Sequence, residues 1–274
     1  MTTSEAVGVV AELWWFPVKS MGGEKLGKAV VTDQGLLGDR AAALLDLETN
    51  ELVSASNRHF PGLMEWRATY IEPPEVGRAL PPIRITGPDG SFALSDAPVL
   101  ADLLSSHFGR PVSLVRVAPD GYRRKQAAFF AGIGLDCLAP SASLVDLCPV
   151  SVISSATLGE LTRSRPSSSF DPRRFRMNVL ITTTADGFVE HAWQGRRLTI
   201  GQVRLEIALP DPRCVMTTLP QDGLPKDPAI LRTIAEMNSL PVGTGGPQPC
   251  AGVYATVARS GLVGTGDRVL LTDA

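Results

Sequence analysis

The chain has 274 residues, 44% of them hydrophobic, and a formal net charge of −2. That length favours one large domain or two modest ones, and that apolar content supports a well-buried core. The near-neutral balance excludes a global basic field that would draw the protein to nucleic acid or to an anionic membrane, so any anion site must come from local arginines and lysines.

In chain order, Val7 to Val18 is rich in β-formers and predicts a first strand. Lys28–Thr32 and Ala41–Leu47 predict two more, separated by the glycine-rich turn Gly35–Gly38. Ile83–Leu94 predicts a hairpin turning at Gly87-Pro88-Asp89-Gly90. Val99, Leu100, Leu103, Leu104 and Phe108 then recur at helical spacing, with Ser95 as the expected cap and Gly109 as the stop. A strand over Val112–Val117 closes the first half. Residues 119–149 are mixed in character and include the basic cluster Tyr122-Arg123-Arg124-Lys125, and the domain boundary is placed there, at residue 125/126. The second half predicts a strand over Val150–Ser154, a helix over Ala156–Arg163 capped by Ser154 or Ser155, and a flexible serine-rich linker over Arg165–Ser169. Strands follow over Phe175–Thr182, Arg197–Ile200 and Val203–Leu209, then a helix over Pro228–Met237 capped by Asp227, and strands over Val253–Val257 and Val269–Leu271. The expected fold is mainly β with a few helices (α+β), in two barrel- or roll-like domains, 1–125 and 126–274.

The N-terminus lacks the basic and apolar regions of a signal peptide, and no apolar run approaches the roughly 20 residues that span a bilayer. The 4 cysteines are widely spaced and form neither a zinc pattern nor a small disulfide framework. A cytoplasmic protein with reduced thiols is the expectation, with no nucleic-acid or membrane partner.

One cysteine is differently placed. Cys214 lies in Pro-Asp-Pro-Arg-Cys-Val-Met-Thr-Thr-Leu-Pro, residues 210–220, a polar stretch stiffened by prolines rather than an apolar run. A thiolate is a strong nucleophile and a soft metal ligand, and a cation such as Arg213 lowers a thiol's pKa. Thr217 and Thr218 offer hydroxyls nearby. A half-buried structural cysteine in a turn is the competing reading, and the residues alone leave both open. Cys250 enters a strand and reads as packing, while Cys137 and Cys148 receive no role. Local cations are the second feature: Lys19 and Ser20 end the first strand, Arg40 follows the glycine-rich turn, and Arg173, Arg174 and Arg176 crowd together before Asn178. On a strand, Arg174, Arg176 and Asn178 share one face, which suits a phosphate or a polar heterocycle as well as an ordinary solvated edge.

Taken together, Pro17-Val18-Lys19-Ser20, Gly35-Leu36-x-Gly38-Asp39-Arg40, Arg174-Phe175-Arg176-x-Asn178 and Arg213-Cys214-x-x-Thr217-Thr218 resemble the MOSC (molybdenum-cofactor sulfurase C-terminal) domain superfamily. The resemblance is strongest to members with an N-terminal MOSC β-barrel domain, such as the amidoxime-reducing components and their bacterial relatives, and it covers about Val9 to Leu271. It implies a pyranopterin molybdenum cofactor held between the two domains. Cys214 falls on the metal-ligating and catalytic position, and Lys19, Ser20, Arg40, Arg174, Arg176, Asn178, Arg213 and Thr217 on or beside cofactor-binding positions. It also implies a small-molecule substrate, an N-hydroxylated or N-oxide compound, reduced with electrons from a separate reductase or iron–sulfur protein, since no Cys-x4-Cys-x2-Cys run is present. Sulfur transfer through a persulfide on Cys214 and a non-catalytic cofactor carrier are the alternatives. The sequence departs from the family pattern at Met177, where proline is usual, at Leu219-Pro220, and at Ser56-Asn57 after Ser54-Ala55.

Overall fold

The computed structural model describes residues 4–116, 130–135, 138 and 144–273. The expected boundary at residue 125/126, the basic cluster 122–125 and Cys137 lie outside the described residues.

Seven strands close a barrel: β1 (Glu5–Trp15), β2 (Val150–Ser154), β3 (Val179–Thr182), β4 (Arg197–Ile200), β5 (Val203–Pro212), β6 (Pro247–Arg259) and β7 (Arg268–Thr272). They pair in the order β2-β3-β1-β7-β4-β5-β6, and β6 closes the ring against β2. Only the β2–β3 pair is parallel. Side chains alternate across a strand, so Leu198 and Ile200 on β4, Val203, Leu205 and Ile207 on β5, and Val253 and Ala255 on β6 meet inside. A small sheet of Lys28–Thr32, Gly35–Leu36 and Gly261–Gly264 adds Ala29, Val31, Leu36 and Val263 to the same core.

The first strand ends at Trp15 rather than Val18. Pro17 has no N–H for a ladder, and residues 16–19 leave the barrel to run beside residues 40–42, with Arg40 N–H donating to the Phe16 carbonyl and Lys19 N–H to the Ala42 carbonyl. That departure brings Lys19 and Ser20 toward Arg40. The chain then builds a second module from two three-stranded sheets. One pairs Val112–Val115, Ala43–Asp46 and Glu51–Leu52, and the other pairs Arg67–Tyr70, Ile83–Thr86 and Phe92–Leu94. Helix α1 (Val99–Phe108) lies against them, and Phe60, Trp66, Ile83, Ile85 and Leu104 fill their own buried cluster. The expected hairpin turn is present, closed by Gly87 N–H on the Ser91 carbonyl at 2.8 Å. Gly109 ends α1 at φ 63°. Ser95 does not cap it: the hydroxyl accepts from Ile83 N–H at 2.9 Å, and Pro98 precedes the helix with no side-chain cap.

Helix α2 (Ser155–Ser164) is capped by Ser154, whose hydroxyl accepts from Thr157 N–H at 3.1 Å. The serine-rich linker is a packed turn, with Phe170 buried and Arg165 donating to the Thr233 hydroxyl at 2.6 Å. The strand expected over Phe175–Thr182 starts only at Val179, because Asp171-Pro172 opens a short helix α3 (Pro172–Phe175). Helix α4 (Ala229–Met237) follows, with the Asp227 carboxylate accepting from Ala229 N–H at 2.9 Å. The chain is mainly β with a few helices, as the sequence predicts. No helix among the described residues is long and apolar enough to cross a membrane.

Candidate functional site

Strand β5 runs past its expected end at Leu209, and its register against β6 shifts between Pro210 and Pro212. Cys214 follows directly and heads a single 3-10 turn, Val215–Thr218. The Thr217 hydroxyl donates to the Cys214 carbonyl at 3.0 Å and the Thr218 hydroxyl to the Val215 carbonyl at 2.7 Å, so both threonines hold the turn itself. Met216 and Leu219 pack onto the core of the second module. With these side chains turned inward, Cys214 and Val215 are left exposed. Cys148 and Cys250 are buried, and burial pushes the Cys250 thiol up to about 12. Among the described residues, the offered thiol is Cys214.

Helix α3 shapes the wall below it. Asp171 caps the helix by accepting from Arg173 N–H at 2.9 Å, and Pro172 supplies the first helical position, where a missing N–H costs nothing. Arg174, Arg176 and Asn178 therefore do not share a strand face. Arg174 lies within the helix, Arg176 ends it at φ 54°, and Asn178 immediately precedes β3. Arg174 is 1% exposed and donates to four backbone carbonyls: Ser169 at 3.0 Å, Thr217 at 3.4 Å, Leu219 at 3.3 Å and Pro225 at 2.7 Å. Two of these carbonyls belong to the cysteine turn and its exit, so Arg174 fixes that loop from beneath.

Arg176 faces different surroundings. It is buried, stacks at 4.1 Å over the Phe16 ring, and donates one terminal nitrogen to the Met21 carbonyl. Its other terminal nitrogen is buried with no partner. Burial first, and then the neighbouring Arg40 charge, lowers its pKa to about 9. Arg40 lies over the same ring at 5.1 Å and donates to the Arg176 carbonyl at 2.9 Å. Asp39 anchors this group: its carboxylate pairs with Arg40 and accepts from Phe16 N–H at 2.7 Å and from the Asn178 amide at 3.0 Å. Asn178 donates also to the Trp14 carbonyl and accepts from Ser151 N–H and hydroxyl, which saturates its amide within the protein. Five non-glycine residues among those described hold a left-handed backbone, and three of them, Ser20, Arg40 and Arg176, line this site. Such conformations cost on the order of 1–3 kcal/mol each and persist where the surroundings over-determine them.

Arg213 is not a bare cation beside the sulfur. Its guanidinium pairs with the buried Asp211 carboxylate and donates to the Phe175 carbonyl at 2.5 Å, while its Nε is buried without a partner. Burial pushes Asp211 up to about 6, against the opposing pull of Arg213. Partly buried Tyr254 neighbours the pair, and its phenol is raised by desolvation and then by the Asp211 charge. Lys19 pairs with Asp146 at 2.5 Å.

Lys19, Ser20, Arg40, Arg174, Arg176, Asn178, Arg213, Cys214 and Thr217 all line one cavity of ≈ 490 Å³. Asp146, Asp211 and Tyr254, to which the sequence assigns no role, line it too, together with Ser56, one of the departures from the family pattern. Asp211 stands inside the quoted cysteine stretch, and Asp39 inside Gly-Asp-Arg, so an acid next to an arginine was the available signal. Met177 stands where the family has proline and buries its methyl over Gly252, where even a Cβ would lie 2.3 Å from it. The donor set is one exposed thiol among arginines that retain unpartnered buried nitrogens at Arg176 and Arg213. Among the described residues no group of three or more His, Cys, Asp or Glu side chains is placed to hold a bare ion. This chemistry fits a metal carried within an anionic organic group that brings most of its own ligands.

Two family models match the chain. The MOSC domain model matches residues 140–270, and the MOSC N-terminal beta barrel domain model matches residues 7–82. The chain belongs to the MOSC family. MOSC domains are a molybdenum-cofactor-binding type. This MOSC protein is 25% identical over 293 residues to mitochondrial amidoxime reducing component 2 of Bos taurus, spanning 97% of this chain and 83% of the relative. It is 26% identical over 296 residues to mitochondrial amidoxime-reducing component 1 of Homo sapiens, spanning 97% and 84%. The solved YuaD protein from Bacillus subtilis superposes over 100% of both chains with a TM-score of 0.48 and 12% identity.

Proposed function

We propose that this MOSC protein is a molybdenum-cofactor-dependent oxidoreductase that reduces small N-hydroxylated or N-oxide compounds. The observation that carries the reading is the convergence on one cavity of an exposed cysteine and five basic side chains, Lys19, Arg40, Arg174, Arg176 and Arg213. The names of the amidoxime-reducing relatives supply the substrate class. When bound, the cofactor supplies the two-electron chemistry that, with two protons, converts an N–OH group to N–H and water. The Cys214 sulfur is the protein's metal ligand. Arg176, with its unpartnered nitrogen, and Arg213, with its unpartnered Nε, offer hydrogen bonds to the anionic and carbonyl groups of the cofactor, and Lys19, Ser20 and Arg40 complete that wall. Arg174 and Thr217 keep the cysteine turn in place, and Asn178 with Asp39 keeps the Arg40–Arg176 pair in place. Electrons come from a separate reductase or iron–sulfur protein, and the location is the cytoplasm.

The test is the molybdenum-to-protein ratio of the chain expressed in a cofactor-competent host, followed by reduction of benzamidoxime by a chemically reduced sample. The wild-type protein is expected to carry near-stoichiometric molybdenum and to turn over. Cys214→Ala is expected to lose turnover by at least about 100-fold, because the metal loses its protein ligand. Metal-free protein from that host, or full turnover in Cys214→Ala, overturns the reading; molybdenum without turnover reduces it to cofactor storage.

A further inference from the structure

The loop that leaves the cysteine turn carries a second set of contacts, away from the cavity floor. Gln221 and Leu224 bond each other's backbones, N–H to carbonyl, at 3.0 and 2.7 Å, closing a tight turn over Asp222-Gly223. Asp222 holds a left-handed backbone at φ 33°, one that favours glycine and is tolerated by Asp and Asn. Its carboxylate accepts from two arginines of different origin. Arg67 reaches it from the strand Arg67–Tyr70 of the second module, and Arg173 reaches it from helix α3 at 3.3 Å. Arg173 also donates to the Asp222 carbonyl at 3.0 Å.

Two observations set this cluster apart from an ordinary surface ion pair. Arg173 is already fixed, because its Nε and one Nη each donate to the Asp171 carboxylate at 2.8 Å, and Asp171 is the cap of α3. Little side-chain freedom is lost when it takes a second carboxylate, which is the condition under which a network of exposed charges stabilises. Arg67, in turn, bridges Gly22, two residues beyond Ser20 of the cavity wall. Gly22 N–H donates to the Trp66 carbonyl at 2.7 Å, Ala68 N–H donates to the Gly22 carbonyl at 3.0 Å, and the preceding Met21 carbonyl takes the Arg176 guanidinium. One carboxylate thus joins the loop after Cys214 to the backbone that supports the opposite, cationic wall.

We propose that Asp222 is a positioning residue, which by engaging Arg67 and Arg173 together fixes the cysteine turn relative to the Lys19–Ser20 wall. It complements Arg174, which holds the same loop from the buried side. The loop that departs from the family pattern after Thr218 thereby has its own anchor. Its importance for turnover rests on the reading of Cys214 as the metal ligand, but the anchor itself is tested without metal.

Amide hydrogen exchange of the purified full chain, resolved for the segment 214–226 and for barrel strands β4 and β5, reads the anchor directly. Asp222→Asn keeps tolerance of the left-handed backbone and removes the charge. It is expected to speed exchange in 214–226 about three- to fivefold, the scale of a favourable exposed charge network, with β4 and β5 unchanged. Arg67→Ala is expected to do the same, and the double variant no more than the larger single effect. In 1 M salt the wild-type segment is expected to approach the variants, because both side chains are about half exposed and screened. Unchanged exchange in Asp222→Asn, full additivity with Arg67→Ala, or a wild-type rate indifferent to salt overturns the proposal. A chain that keeps this exchange pattern yet binds no molybdenum overturns the proposed function and leaves the anchor standing.

Discussion

Arg174 and Arg176 stand two residues apart in one motif, both are buried, and both line the cavity, yet their surroundings differ in kind. Arg174 has four carbonyl acceptors from three separate segments; Arg176 has one, with a nitrogen left over. A buried guanidinium whose donors are matched is part of the framework. A buried guanidinium with an unmatched donor is held at a cost, and that cost is recovered when a ligand supplies the acceptor. The same residue type at neighbouring positions thus separates building from binding.

The largest effect is expected at Arg174. Arg174→Met keeps most of the apolar stem but strands the Thr217, Leu219 and Pro225 carbonyls, and about 3 kcal/mol or more of stability should be lost in urea unfolding of the metal-free chain. A loss under about 1 kcal/mol would erase the distinction between the two arginines.

Arg213 stands between the extremes, matched by Asp211 but with its Nε unpartnered. Asp211 is raised from 3.8 to about 6, so between those values the folded chain holds a proton that the unfolded chain has released. The stability this contributes is present below about 3.8 and is lost as pH rises through 6. Asp211→Asn has no such proton. Relative to wild type, the variant is expected to gain on the order of 1–3 kcal/mol in unfolding free energy between pH 4 and pH 7, at about 1.4 kcal/mol per pKa unit. Parallel pH profiles for the two proteins would show that Asp211 is held as a simple ion pair at all pH values.

How far these differences were legible in the sequence depends on what each residue needed. Strands with regular alternation, such as Val203–Ile207, were readable because each side chain's face follows from its own position. The 3-10 turn around Cys214 was not readable as an element, and its polar, proline-rich character left an offered sulfur and a half-buried structural one equally open until the turn's geometry exposed it. The arginine group was located, but its geometry was misread: alternation put Arg174, Arg176 and Asn178 on one face, when the Asp171-Pro172 start signal for a helix outweighs it. The acids Asp39 and Asp211 were missed because a carboxylate's role here is set by arginines and amides far away in sequence, with 139 residues separating Asp39 from Asn178. Contacts of that range leave no local pattern to read.

The smallest stability effect is expected at Arg176, where the functional effect is large. Arg176→Gln removes the contact with the Phe16 ring, worth about 0.5–2 kcal/mol, and the bond to the Met21 carbonyl. It also removes a charge that burial and Arg40 both disfavour, as its pKa near 9 records. These terms oppose, so metal-free stability should change by less than about 1 kcal/mol in either direction, since surface-like net effects follow when a poorly matched buried charge is deleted. The unmatched nitrogen is lost with the guanidinium, and the molybdenum-to-protein ratio of the variant is expected to fall at least about tenfold, the equivalent of one charge-assisted hydrogen bond. If Arg176→Gln instead unfolds as readily as Arg174→Met and still loads molybdenum, Arg176 is framework as well, and the cation that meets the cofactor must be sought at Arg40 or Arg213.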